Sequence, residues 1–179
     1  MYHPSVYDNL KVVLEGAVYD LDFSGEIEII NRKDLMDQAI IERNYSVDFV
    51  VSAIGEAMKG TITLTSNLED LAMEKLNDNP EGAGSKLSCV IETPVYEIET
   101  DCKQLQSILK KWGSGDLKGD IQQKLTYIYG QPRHVFTNTI SIQLQKPVSE
   151  EEPERISSVL EELIASINEM NEYFKGYKK

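Results

Sequence analysis

Apolar and polar residues alternate near the start of the chain, over Lys11–Leu21 and again over Glu26–Ile30. The residues between them, Asp22–Gly25, end in Ser-Gly, which gives the backbone the freedom that a tight turn needs. Alternation with a period of two is typical of strands that bury one face. We therefore predict a β-hairpin here, followed by a short helix over Lys33–Ile41, where apolar residues recur at helical spacing.

A second strand–strand–helix unit follows the first. Two strands are predicted where apolar and polar residues alternate around Phe49 and, within a Thr-rich stretch, around Ile62. Ser66 and Glu69 have the spacing of a capping box, and the apolar residues after them recur at helical spacing. This pattern predicts a helix that begins near residue 67.

A third unit has the same order of elements. Strands are predicted over Leu87–Ile91 and Val95–Ile98, on either side of a proline. A helix is then predicted from about Asp101, and Gly113 ends it.

The fourth unit has predicted strands around Lys124–Tyr129 and over Val135–Leu144, followed by the longest helix of the chain. Serial units of this kind predict an α+β fold with an antiparallel sheet, helices packed on one face and a long C-terminal amphipathic helix. We expect one domain over residues 1–179. The Asn-, Gly- and Pro-rich loop 77–85 would join two pseudo-halves, 1–76 and 86–179.

The last helix is predicted over Pro153–Phe174, with acidic residues before its first turn and lysines after its last. Its apolar residues form a stripe that suits packing on the protein's own sheet, or alternatively a homodimer interface. The stripe consists of Ile156, Leu160, Leu163, Ile167, Met170 and Phe174. Six residues are expected to be buried in the core: Phe49, Ile62, Leu64, Ile140, Ile142 and Leu163.

The chain carries a net charge of −12, which repels nucleic-acid phosphates and anionic lipid. We therefore expect no binding of duplex nucleic acid and no membrane association. The start of the chain has no basic region followed by an apolar run, and we expect a soluble cytoplasmic protein with the thiols of Cys89 and Cys102 free.

Common catalytic and phosphate-binding motifs are absent from the sequence, and we expect neither a cofactor nor a metal ion. Cys102 is the best candidate nucleophile because a helix N-terminus lowers the pKa of a thiol, although an inert role is favoured. A small enzyme or anionic-ligand-binding protein with a pocket near Cys102, Trp112 and His134 is one alternative function.

Residues 101–146 hold seven Lys/Arg against three Asp/Glu, a net charge of +4, so the rest of the chain carries −16. Cations and aromatic rings interleave in this stretch, which is typical of a docking patch for an anionic ligand or an acidic surface. The candidate patch consists of Lys103, Lys110, Lys111, Trp112, Lys118, Lys124, Tyr127, Tyr129, Arg133 and His134.

The sparse histidines and the absent motifs favour a protein that works by binding. We expect an acidic interaction protein, in the manner of a chaperone, inhibitor or adaptor, that docks a protein partner with a basic surface. A structural component of a homo-oligomeric assembly is a further alternative, because such a component needs no site.

Overall fold

The computed structural model describes residues 5–51, 58–76, 84–132 and 135–176. These residues form four helices and six strands. The helices are α1 (Val6–Ser24), α2 (Leu68–Leu76), α3 (Ile98–Trp112) and α4 (Glu154–Lys175). The strands are β1 (Ile27–Asp37), β2 (Glu42–Val51), β3 (Lys59–Ser66), β4 (Lys86–Val95), β5 (Gly119–Thr126) and β6 (Phe136–Leu144).

The strands form one antiparallel sheet in the order β1-β2-β3-β4-β6-β5. Helices α1, α3 and α4 pack against this sheet. The central strands alternate buried side chains, which face these helices, with partly exposed side chains on the other face. The predicted α+β class, with helices on one face and a long C-terminal helix, is confirmed.

The strand register defines a helix face and an open face of the sheet. On the helix face, Phe49 of β2 lies opposite Gly60 of β3. A Cβ atom at Gly60 would lie 2.6 Å from the ring of Phe49 and 3.0 Å from Cδ1 of Ile167, so only glycine fits between them. The open face presents partly exposed residues in rows, such as Thr61, Val90 and Ser141.

The N-terminal β-hairpin predicted over Lys11–Ile30 is wrong, because these residues are divided between helix α1 and strand β1. The hydroxyl oxygen of Ser5 accepts a hydrogen bond from the backbone N–H of Asp8, whose carboxylate accepts the N–H of Ser5 in return. Gly25, at φ 80°, ends the helix in the left-handed conformation. The residues that α1 buries recur at helical spacing: Tyr7, Leu10, Leu14 and Val18.

The short helix predicted over Lys33–Ile41 is also wrong. Strand β1 continues to Asp37 and pairs with β2 residue by residue from Asn31 onward, which satisfies its backbone groups on that side. Residues 38–41 form the turn, and Ile41 takes a φ of 53°, which is unusual for a β-branched residue.

The second unit is confirmed apart from the residues that cap its helix, whereas the third unit has one strand where two were predicted. The cap of α2 is made by Asn67 and Asp70, whose side chains each accept the backbone N–H of the other, and not by the predicted Ser66–Glu69 pair. The two strands predicted over Leu87–Ile98 are one strand, β4, with α3 directly after it. Pro94 is tolerated within β4 because β3 begins opposite Glu92, so that β6 is the only described strand that pairs with β4 at Pro94.

The stripe of α4 packs on the protein's own sheet, against β2 and β3. All six of its side chains are buried: Ile156, Leu160, Leu163, Ile167, Met170 and Phe174. They already belong to the core, so the alternative of a homodimer through this stripe is not supported. The six predicted core residues are all confirmed as buried: Phe49, Ile62, Leu64, Ile140, Ile142 and Leu163.

The two predicted pseudo-halves share one sheet, because β3 of the first pairs with β4 of the second from Lys59–Glu92 to Thr65–Lys86. Most of the predicted connecting loop, residues 77–83, lies outside the described residues.

We expect the substitution Leu163→Ala to lower the free energy of unfolding by about 2–5 kcal/mol, because it leaves a cavity under α4. Chemical denaturation measures this change. The exposed residue Val12 provides the control, since Val12→Ala is expected to change stability by about 0.5 kcal/mol or less. A loss below about 1 kcal/mol for Leu163→Ala would mean that α4 is not packed on the sheet in solution.

Candidate docking site

Two residues of the predicted basic patch, Lys111 and Trp112, are used in the contact between α3 and α4. Both donate hydrogen bonds of 2.9 Å to Oε2 of Glu169, and the ammonium group of Lys111 lies 5.2 Å from the centre of the Trp112 ring. The hydrogen bonds from Lys111 and then from Trp112 hold the pKa of the Glu169 carboxyl below its usual value. This pair therefore joins the two helices.

The sheet separates the other members of the predicted patch. Lys103 and Lys110 lie on α3, above the helix face, whereas Lys124 of β5 lies opposite Thr139 and projects from the open face. Lys118 precedes β5 and lines a cavity of about 290 Å³ together with Lys110.

The aromatic residues after β5 do not join these lysines. The ring of Tyr127 packs 6.2 Å from that of Phe136, and its hydroxyl donates to the carbonyl of Gln131. Tyr129 is 96% exposed. Arg133 and His134 lie outside the described residues.

Cys102 lies near the N-terminus of α3, but the carboxylate of Asp101 occupies that helix end. Asp101 accepts the backbone N–H groups of Tyr96 and Glu97, each at 2.9 Å, and the hydroxyl of Tyr173 at 2.8 Å. Burial first, and then the negative charges of Asp101 and Glu99, raise the pKa of the Cys102 thiol. The expectation that the helix end lowers this pKa is therefore wrong.

The surroundings of Cys102 are those of a structural residue. Its carbonyl accepts a hydrogen bond from Gln123, and Asn138 donates to its sulfur at 3.9 Å. Trp112, the second member of the predicted pocket, lies farther along the same helix, at roughly 15 Å for a rise of 1.5 Å per residue. Cys102 and Trp112 thus have separate surroundings, and His134 lies outside the described residues.

A different concave site lies where α1 begins, beside the β1–β2 turn and α2. This cavity of about 580 Å³, which we call the α2 groove, was not predicted from the sequence. Its volume is in the range of ligand and side-chain pockets. The residues that characterise it are Tyr7, Leu35, Met36, Ile41, Arg43 and Leu71.

The apolar part of the α2 groove is open to solvent. Leu35 is 58% exposed and Met36 57% exposed at the end of β1. Helix α2 buries none of its residues, and Leu68, Met73 and Leu76 are exposed along it. Large apolar side chains left exposed together mark sites of interaction.

Tyr7, which lines the α2 groove, has a buried hydroxyl group. Among the described residues, the Tyr7 hydroxyl makes no hydrogen bond, although the residue is only 2% exposed. Burial is the main cause that raises the pKa of Tyr7, so its phenol keeps its proton and is a hydrogen-bond donor. The guanidinium of Arg43 lies 4.3 Å from the centre of the Tyr7 ring and forms an ion pair of 2.8 Å with Asp8.

The surroundings of the α2 groove are acidic. Helix α2 carries three acidic residues and one lysine, a net charge of −2. Asp37 and Glu42, on either side of the turn, add another −2, which makes −4 in total. An acidic field of this kind attracts basic partners.

The α2 groove was not predicted, because a helix was expected here with one apolar face. That face would have held Leu35, Met36, Ala39 and Ile40. The adjacent apolar residues at 35–36 and at 40–41 could have predicted an exposed apolar surface. On a hairpin, neighbouring side chains point to opposite faces, so one member of each pair must face away from the core.

None of the helices in the described ranges is long and apolar enough to cross a membrane. The same ranges contain no group of three or more His, Cys, Asp or Glu side chains placed to hold a metal ion. Searches of protein-family models, curated proteins and solved structures found no match to this chain.

We expect both thiols to be free and slow to react in the folded protein. Burial raises the pKa of Cys89 to about 12, and the pKa of Cys102 is also raised, so little thiolate is present near neutral pH. Removing a negative charge by Glu99→Gln should lower the pKa of Cys102 and accelerate its alkylation, while Cys89 stays unreactive.

Alkylation rates measured against pH, with peptide mapping by mass spectrometry, test this expectation. Glu99 is exposed, so the substitution should leave the fold intact, and circular dichroism provides the control. A disulfide between Cys89 and Cys102 in the unreduced protein, or fast native alkylation of Cys102, would contradict it.

Proposed function

We propose that this protein is a binding protein that docks an amphipathic, basic segment of a protein partner in the α2 groove. The observation that carries the proposal is the exposed apolar lining of the groove, Leu35, Met36 and Ile41, next to a helix that buries none of its residues. Amphipathic helices commonly bind by laying their apolar face into a groove of this kind.

Charge supports a basic partner. The acidic residues of α2 and of the β1–β2 turn surround the apolar lining, so lysine or arginine residues at the margins of a bound segment would meet them. The overall charge of −12 would further increase the rate of association with such a segment.

The alternative function as an enzyme was predicted from a pocket near Cys102, Trp112 and His134. Cys102 and Trp112 have separate surroundings, and His134 lies outside the described residues.

Charge substitutions in the groove test the proposal directly. We expect Leu35→Glu and Met36→Glu to weaken binding of a synthetic amphipathic helix, with leucines on one face and lysines on the other, roughly tenfold or more. Both side chains are exposed, so stability should change by about 0.5 kcal/mol or less. Fluorescence anisotropy of the labelled peptide provides the affinity.

The matched control is Val12→Glu, which places the same charge at an exposed apolar residue of α1 outside the groove. This variant should bind the peptide as the wild type does. Equal loss of affinity in Val12→Glu, or equal binding of a peptide with glutamates in place of lysines, would refute the α2 groove as the docking site.

The affinity for the basic peptide should fall as ionic strength rises, because salt screens the acidic surroundings of the groove. A double variant, Asp37→Asn with Glu42→Gln, should flatten this dependence, since it removes two of the four net negative charges. An affinity independent of salt in the wild type would mean that apolar contact alone drives binding.

A further inference from the structure

Among the described residues, strand β5 is an edge strand of the sheet, because β6 is its only partner there. The N–H of Gln145 donates to the carbonyl of Lys118 at 3.3 Å, and this bond fixes which β5 residues face β6. Bonded and non-bonded pairs alternate along an antiparallel ladder. The backbone N–H and C=O groups of Ile121, Gln123 and Leu125 therefore point away from β6, toward the free edge.

The opposite edge of the sheet, at β1, is protected, whereas no described residue protects the β5 edge. On β1, the outward N–H of Ile29 donates to the carboxylate of Asp22 at 2.9 Å, and a bulge follows between Ile29 and Asn31. On β5, no group of the described chain bonds the outward backbone of Ile121, Gln123 or Leu125.

Four lysines border the β5 edge, and none of them forms an ion pair with a described residue. They are Lys103, Lys110, Lys118 and Lys124. On α3, Lys103, Gln106 and Lys110 lie at steps of three and four, so they share the side of the helix that borders β5. In a chain with a net charge of −12, these unpaired cations concentrate positive charge along one edge.

A cavity of about 290 Å³ lies between β5 and α3, beside this edge. Its lining combines the apolar side chains of Leu109 and Ile121 with Gln106, two lysines and one carboxylate, so its charged groups carry a net +1. These charged residues are Lys110, Lys118 and Asp120. A strand added to β5 would direct alternate side chains to the helix face, where this cavity can accept one of them.

We propose that the β5 edge is a docking site for an extended acidic segment of a partner protein, which adds a seventh strand to the sheet. The outward groups of Ile121, Gln123 and Leu125 bond the backbone of the segment. Its acidic side chains meet Lys103 and Lys110 on the helix face and Lys124 on the open face. This site is distinct from the α2 groove and selects the opposite charge.

The lysines also explain selectivity at this edge. Edge lysines discourage the addition of basic or apolar strands, because such strands would leave the ammonium groups close together or desolvated. An acidic strand removes that penalty. The same lysines that exclude basic or apolar strands therefore allow an acidic strand to bind.

The probe is a blocked synthetic peptide of about ten residues in which pairs of glutamates alternate with single valines, so that both faces of the added strand carry glutamate. Its binding should slow amide hydrogen exchange at Ile121, Gln123 and Leu125, measured by NMR. The amides of Gln122 and Lys124, which already bond β6, provide the internal control and should change little. Binding without new protection at the three outward amides would overturn the proposal.

Charge reversal provides the second measurement. The double variant Lys110→Glu/Lys118→Glu should weaken peptide binding roughly tenfold or more, because both exposed lysines border the cavity. The control Lys33→Glu/Lys86→Glu reverses two lysines on other strands, which also make no ion pair with a described residue, and should retain the affinity.

Three results would overturn the proposal: no binding at millimolar peptide, equal binding of a peptide with lysine in place of glutamate, or equal loss of affinity in both double variants. The substitutions that test the α2 groove, Leu35→Glu and Met36→Glu, should leave binding of the acidic peptide unchanged. The two sites can therefore fail independently.

Discussion

The contact between α4 and the helix face of the sheet is the interaction on which the rest of this structure depends. The apolar stripe of α4 lies over β2 and β3, and its central residues Leu163 and Ile167 are fully buried. Gly60 makes this contact close, because it leaves room for Phe49 and Ile167 to meet above β3. Helices α1 and α3 each pack against α4 as well as against the sheet, so their positions depend on the position of α4. A loss of packing under α4 would therefore release both neighbours.

Because three helices occupy the helix face, the surfaces left for binding are the open face and the two ends of the strand order. The α2 groove lies beside β1 and β2, whereas the β5 edge closes the other end of the sheet. Five strand spacings of about 4.8 Å separate β1 from β5, roughly 24 Å in all. Two segments of opposite charge would not compete for space at these sites. A chain that binds both would act as an adaptor that brings an acidic and a basic partner together.

Buried polar groups in this protein serve packing more than chemistry. Asp101 is fully buried, yet it accepts two backbone N–H groups at the start of α3 and the hydroxyl of Tyr173 from α4. These bonds fix the β4–α3 connection against the C-terminal helix. Burial first, and then the negative charge of Asp101, raise the pKa of the neighbouring Cys102 thiol. The Tyr7 hydroxyl is different, because no described group bonds it.

The sequence by itself determined the elements whose hydrophobic pattern fits only one kind of secondary structure. The stripe of α4 matches only a long amphipathic helix, and the alternation around Phe49 and Ile62 matches only a half-buried strand. The tertiary structure decided the N-terminal elements. The apolar residues before Gly25 fit both the period of a strand and the period of a helix, and contact with α4 selects the helix. It also separated Lys124 from Lys110, because α3 packs over the helix face of the sheet whereas Lys124 projects from the open face. The α2 groove joins α1, the β1–β2 turn and α2, and such a meeting of distant segments depends on packing that no local pattern records.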